Sequence, residues 1–494
     1  MGGDLDSDAM LRVLAEASRT VEEELTRVAL RVEGDIPEGL DGVLFRNGPG
    51  RFERGGVRYA HPFDGDGHIV RLDIGPDGVC FSNRFVRTRE LVAEEQAGRM
   101  LYRTFGTNLP GGLPANLLRL SIKSSANTNV VWQGGRLLAL WEASPPYRLD
   151  PHSLATLGTE TFDGRLRNRF PGPLGWLARR LSADLPFSAH PRIDAETGAL
   201  INFGLLFGRP NRLLIYRVDR DGRMAEPEPH TLPRYSFVHD LAVTRRWRCF
   251  LLPQADFDVP SALLGLKTPV GSLRIATDRP LQALLIPRDG GAAQTLTLEG
   301  IGGFVFHIAQ GFDGKDGTLV LDVARYRDYP VFDDFAALFR EGRPGMVPHL
   351  ERITLDPASG RCRRDPWGER AFELPVTAPG PFGEPRRHVY GIGAPPGRGA
   401  PYLTAIQRLD TATGEMRLRD FGLDLAGEPI LVPGPDGEEG WLLSLLHRAG
   451  REETELVILR ASDLAIRATA TLPCLVPVGF HGCWVPRGAL PAPS

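Results

Sequence analysis

The chain has 494 residues and a formal net charge of −3, and its 42% hydrophobic and 24% charged content is that of an ordinary globular protein. This balance offers no basic footprint for nucleic acid, and no run approaches the roughly 18 apolar residues of a membrane-spanning helix. The five cysteines, Cys80, Cys249, Cys362, Cys474 and Cys483, form no C-x-x-C pair; they read as reduced, mostly buried thiols of a cytosolic protein and exclude a thiolate metal site. In chain order, MGGDLDSDAM carries no basic stretch ahead of an apolar core, so no signal peptide is expected. Met10, Leu14, Ala17, Val21, Leu25 and Val28 then recur at gaps of three and four, which predicts an N-terminal helical segment within residues 1–30.

Beyond this segment the helical period fades. Short apolar runs take over: GRLLALWE, GALINFGLLF, NRLLIYRV, RCFLLPQ, GTLVLDV, APYLTAI, GWLLSLL and TELVILR. Each is bounded by turn signals such as PDG, QGG, TG and GPDG, and the many glycines and prolines are spread along the chain, as strands joined by tight turns require. The pattern predicts an all-β fold of meandering antiparallel sheets, closed as a sandwich, barrel or propeller. About seven blades of about 60–70 residues would fit the length. No WD or kelch repeat is present, so a two-sheet sandwich with a helical domain stays open on pattern alone. Two stretches depart from the strand pattern, 109–120 (LPGGLPANLLRL) and 171–185 (PGPLGWLARRLSADL). In the second, Leu174, Trp176, Leu177 and Leu181 stand beside Arg179 and Arg180, a composition suited either to a membrane interface or to a buried capping element.

Four of the eleven histidines stand in apolar, strand-like settings: His190, His239, His307 and His481. A buried imidazole needs partners for both ring nitrogens, and four such residues point to a shared site. Neutral imidazole suits zinc, copper, iron and nickel alike, so these residues do not name the metal. Glu142, Glu373 and Glu428 also lie in apolar surroundings. They are candidates for the carboxylates that accept the remaining N–H of metal-bound histidines, with ordinary ion pairing to arginine as the alternative.

Ordered blocks along the chain resemble the carotenoid cleavage oxygenases. They are DGVLFRNGPGRF (41–52), HPFDGDGHIV (61–70), ANTNVV (126–131), LALWE (138–142), SAHPRID (188–194), FVHDLAVT (237–244), FVFHIAQGFD (304–313), FELP (372–375), RHVYG (387–391), GEPILVP (427–433) and FHGCW (480–484). The resemblance implies a seven-bladed β-propeller over residues 31–494, with a helical and loop cap over the active-site face. It implies one Fe(2+) per chain, held by His190, His239, His307 and His481 without a carboxylate ligand. Glu142, Glu373 and Glu428 then back the histidines, and Thr128 is the active-site threonine near the open coordination position.

The activity implied is insertion of O2 across a conjugated C=C bond of a lipophilic polyene, giving two aldehydes such as retinal. LALWE, YRTFG (102–106) and FHGCW are most similar to the apocarotenoid-cleaving members. Stilbene-cleaving relatives place a lysine where Trp141 stands, so an aromatic wall here favours a polyene over a phenol. Phe237 and Phe306, each just before a histidine, are further candidate walls, with plain core packing as their alternative. A cytoplasmic protein with peripheral membrane contact and no obligate protein partner is expected. Stilbene or phenylpropanoid cleavage, retinoid isomerisation and a non-catalytic ligand-binding propeller are the alternatives.

Overall fold

The structure, a computed structural model, describes residues 7–119, 122–167, 184–208, 210–232, 234–328, 347–396, 403–434 and 440–492. Antiparallel strands dominate it. The apolar runs become strands almost where their turn signals bound them: NRLLIYRV is Asn211–Val218, and TELVILR falls within Glu453–Arg460. The N-terminal stripe is helical only over Ser7–Glu16, which packs Val13 and Ala17 against Leu425. From Val21 onward the chain is extended, because Val21 N–H bonds to the Gly50 carbonyl and Val28–Leu30 joins a sheet. Of the cysteines only Cys249 is buried; the other four are half-buried, and all five are free thiols. The expectation that most would be buried therefore fails.

Six sheets of four or more strands carry the described fold. The first runs Val28–Leu30, Gly78–Phe85, Asp66–Gly75, Gly42–Arg51, and closes with the C-terminal Gly482–Pro486. The second comprises Asn129–Gln133, Arg136–Leu140, Tyr147–Leu149 and Thr156–Thr159. The third runs from Arg192–Ile193 to Glu228–Leu232, and the fourth from Ala242–Val243 to Gln294–Thr297. A seven-stranded sheet follows, from Phe304–Asp313 to Met416–Asp420. It is two four-stranded halves sharing one long strand, Cys362–Thr377, which pairs with His349–Leu355 up to Ala371 and with His388–Gly393 from Phe372. Val32–Gly34, Ile466–Thr471, Glu453–Arg460 and Trp441–Arg448 form the last large sheet, with Leu425–Ala426 and Ile430–Val432 both on Trp441–Arg448.

Side-chain packing explains why the strands read as apolar runs and not as alternating ones. Successive residues of a strand face opposite sides, and both sides are buried here. Leu442 and Leu446 pack against Tyr390 and Ile406 of the preceding unit, while Leu443 packs against Leu44 and Val70 of the first sheet. Val130 and Leu137 meet Val43 and Phe45, Leu138 meets Leu200 and Tyr216, and Phe203 meets Phe250. Cys249 and Leu251 then meet Val305 and Leu321, and Ala309 meets Phe372 and Val389. Each of these clusters joins one sheet or half-sheet to the next, and the last sheet joins back to the first.

Candidate metal centre

His190, His239, His307 and His481 converge, with one ring nitrogen of each lying within 4.8 Å of those of the other three. Each belongs to an outermost strand of a different sheet, or to the residues leading into it. His307 is inside Phe304–Asp313, His481 immediately precedes Gly482–Pro486, His190 precedes Arg192–Ile193, and His239 precedes Ala242–Val243. Only His307 is therefore a strand residue. The other three occupy irregular backbone at strand entrances, where a chain freed from the ladder can turn its side chain along the sheet's end. Even Phe304–Asp313 is bulged on both sides of His307, and such bulges re-aim a side chain.

Three of the imidazoles are backed by carboxylates, each a different glutamate. His307 Nδ1 lies 2.6 Å from Glu373 Oε2, and His481 Nδ1 lies 2.7 Å from Glu428 Oε1. His239 Nδ1 is in close contact with Glu142 Oε1. With Nδ1 engaged, Nε2 is left to face the cluster, and His307 Nε2 and His190 Nε2 are buried without a protein partner. Orphaned buried ring nitrogens are costly; four converging neutral imidazoles instead make a donor set suited to a divalent transition ion. The residues fit such an ion.

The electrostatics differ from ring to ring. Burial drives His190 well below the ordinary histidine range, reinforced by His239, His481 and His307, so its ring is neutral. Burial also outweighs Glu428 at His481, which is lowered. At His307 burial pulls down, but the Glu373 carboxylate prevails and raises it. Burial alone would raise Glu373 and Glu428, yet the histidines they face hold both below the usual carboxylate range.

Backbone conformation is unusual beside these groups. Leu374 adopts φ 47° immediately after Glu373, where Cys362–Thr377 changes partners, and its N–H turns back onto the Glu373 carboxylate. Ala126, two residues before Thr128, has φ 47°. A non-glycine residue held there marks a site fixed by its surroundings. Thr128 is half-buried at the start of the second sheet; its carbonyl accepts the His481 N–H at 3.2 Å, and its hydroxyl donates to Asn127 Oδ1 at 3.2 Å.

The candidate walls divide. Phe237 and Phe306 join one aromatic cluster with Phe63, Phe105, Phe304 and Tyr326, and the Phe306 ring lies edge-on to His239 with centroids 5.0 Å apart. Trp141 is half-buried outside that cluster, bridging to Phe187 just before Glu142. Sequence reasoning missed the residues that lash the site together. Asn47 Nδ2 donates to the Ala126 and Asn129 carbonyls at 3.0 and 2.7 Å, and Asn129 Nδ2 to the Ala189 carbonyl at 2.7 Å. Arg46 was missed too, although it meets Glu428 Oε2 at 2.7 Å with both side chains buried. The available signal was a polar residue inside an apolar strand, as in LFRNG, since buried polar groups must find partners.

The apolar stretch 109–120 forms a short helix, Gly112–Asn116, and exposes Leu113, Leu117 and Leu118. It is tied to a second loop, which opens with the short helix Val259–Leu263: Leu118 N–H bonds to the Leu263 carbonyl, and Arg103 reaches the Ala262 and Lys267 carbonyls. That loop exposes Val259, Leu264 and Leu266. Most of 171–185, including Trp176 and Leu177, lies outside the described residues. Among the described residues no helix is long and apolar enough to cross a membrane.

A family model described as retinal pigment epithelial membrane protein matches residues 17–486. The apocarotenoid-15,15'-oxygenase of Synechocystis sp. is 36% identical over 471 residues, covering 92% of each chain. Resveratrol cleavage oxygenase 1 of Aspergillus fumigatus is 28% identical over 487 residues, again covering 92% of each. The crystal structure of cobalt-substituted Synechocystis apocarotenoid oxygenase superposes with a TM-score of 0.87 at 34% identity, over 97% of this chain and 99% of that one.

Proposed function

The chain belongs to the carotenoid cleavage oxygenase family, and from that premise we propose that it cleaves a conjugated C=C bond of an apocarotenoid into two aldehydes such as retinal. The observation that carries this reading is the set of four imidazoles within 4.8 Å of one another, three of them backed by glutamates. His190, His239, His307 and His481 would hold one iron(II) per chain. That ion supplies activation of O2, whose two oxygen atoms end in the two carbonyl groups formed. Glu142, Glu373 and Glu428 hold Nδ1 of three ligands and so fix their tautomer. Thr128 would sit near the open coordination position.

Substrate binding would fall to apolar surfaces. Phe237 and Phe306, with the ring of Phe306 edge-on to His239, offer a polyene a dry wall that orients it and keeps water out. Trp141, in place of a phenol-binding lysine, favours the same substrate class. Purified protein reconstituted with iron and offered a panel of apocarotenals and resveratrol under O2 is expected to give aldehydes from the apocarotenals. Aldehyde products from resveratrol alone would transfer the assignment to stilbene cleavage, and an isomerised alkene without cleavage would transfer it to isomerisation.

The ring of core clusters supports a seven-bladed β-propeller that spans residues 31–494 and takes in the strand Val28–Leu30, with the helix Ser7–Glu16 before it. The cap would be the segments 101–119 and 259–272, which meet where Val270 N–H bonds to the Phe105 carbonyl above the aromatic cluster. Its leucines supply a peripheral membrane contact for a cytoplasmic protein: Leu118 is 69% and Leu266 is 62% exposed, and a contiguous apolar patch marks an interaction surface. Leu118→Asp/Leu266→Asp is expected to abolish co-sedimentation with phosphatidylcholine vesicles while detergent-solubilised substrate is still cleaved; unchanged vesicle binding would refute the contact.

A further inference from the structure

Arg46 lies in the strand Gly42–Arg51, and its side chain is 3% exposed. One guanidinium nitrogen meets Glu428 Oε2 at 2.7 Å, and another donates to the Phe480 carbonyl at 3.1 Å. The second oxygen of Glu428 holds His481 Nδ1 at 2.7 Å, while the Gly482 N–H donates to Oε2 at 3.1 Å. Arg46 thus grips both the carboxylate that orients His481 and the peptide group immediately before His481. It also stands directly opposite Gly482 across the closing strand pair.

The three glutamates are unequal in this respect. Glu373 receives the Leu374 N–H and faces the Tyr326 hydroxyl, and the described ion pair of Glu142 is with His239. Among the described ion pairs, only Glu428 of the three is matched by a permanent cation. A divalent ion on four neutral imidazoles, surrounded by three carboxylates, would leave one negative charge in surplus in a buried site, and an unpaired buried charge is costly. The neighbouring pair of Arg192 with Asp240, at 2.5 Å, is neutral by itself, so Arg46 is the charge that closes the balance.

We propose that Arg46 is a positioning residue of the metal centre, clamping Glu428 and the Phe480 carbonyl so that His481 presents Nε2 to the ion, and neutralising the surplus carboxylate. The inference rests on the metal-centre reading above. Because Glu428 lies between the Arg46 guanidinium and the His481 ring, the pair would turn its negative end toward an ion held by that ring. Arg46 therefore supports the cation and does not repel it.

The test is titration of metal-free full-length protein with Co2+, reading visible d–d absorption and the dissociation constant. The variants are Arg46→Met, Arg46→Lys and Arg71→Met. Arg71 pairs with Asp73 at 2.7 Å and reaches the His152 carbonyl in the same part of the fold but does not touch Glu428, so its loss reports the cost of removing a buried, paired arginine away from the four histidines. Arg46→Met is expected to weaken Co2+ binding by about tenfold or more and to shift the visible bands. Arg46→Lys keeps the charge without spanning both acceptors, so it recovers part of the affinity with bands still shifted. Arg71→Met is expected to lower the melting temperature and keep wild-type bands. Affinity of Arg46→Met within about twofold of wild type with unshifted bands, or any tightening, overturns the proposal, as does the same band shift in Arg71→Met. If Arg46→Met does not fold, Arg46→Lys decides, and unshifted bands there overturn it. Wild-type protein that takes up no Co2+ refutes the metal centre itself, which separates the two failures.

Discussion

At the residue scale, His190 stands apart from the other three histidines. Glutamates engage Nδ1 of His239, His307 and His481, whereas the described ion pairs give His190 no carboxylate. Removing such a partner typically costs 10–100-fold in metal affinity. Glu373→Gln and Glu428→Gln are therefore expected to weaken Co2+ binding by about that range. Glu142→Gln is expected to have a smaller effect, because the Glu142 side chain is 25% exposed and water can take its place, whereas those of Glu373 and Glu428 are 6% and 9% exposed. Equal losses at all three positions in a Co2+ titration would contradict this ordering.

At the scale of elements, apolar runs marked strands well because both faces of each strand are covered. Boundaries were lost where the backbone breaks its own rule. Cys362–Thr377 was not visible as one strand, since Pro366, Gly368 and Pro375 punctuate it, yet it joins two half-sheets and delivers Glu373 at the switch. In the run APYLTAI, the described Leu403 and Thr404 precede the strand, which is Ala405–Asp410. Its last residue carries a pH prediction. The Arg387 guanidinium, prevailing over burial, holds the Asp410 carboxyl at about 2, against an ordinary 3.8. A folded-state value below the unfolded one stabilises the protein above about pH 4, and this stabilisation is lost as pH falls toward 2. Asp410→Asn is expected to lower the melting temperature at neutral pH and to flatten the acid-induced loss between those values. Parallel melting curves for variant and wild type across that window would refute it.

At the scale of the whole molecule, the C-terminal strand closes the first sheet and carries the last histidine on its leading edge. Gly482–Pro486 pairs with Gly42–Arg51, and Val485, 1% exposed, packs with Val43 and Phe45. The pairing that closes the sheet therefore also brings His481 to the cluster of four imidazoles. An unpaired carboxylate buried there costs several kcal/mol, a large part of a typical stability margin of about 5–15 kcal/mol. Val485→Asp is expected to lose cooperative unfolding and Co2+ binding together, while Val485→Ile retains both. A folded Val485→Asp protein with wild-type Co2+ affinity would show that closure is dispensable.

The sequence by itself determined the strand-rich character, the four histidines and three glutamates, and, through ordered blocks, the family. It could do so because apolar periodicity and polar residues out of place are local signals, visible without knowing what lies opposite. The tertiary structure alone decided which glutamate serves which histidine, that three of the four histidines precede their strands, and that Trp141 lies apart from Phe237 and Phe306. It also decided that Arg46, Asn47 and Asn129 bind the site's separate segments into one body. These facts depend on contacts between residues far apart in the chain: Arg46 and Glu428, for example, become neighbours only when the two ends of the chain close on each other.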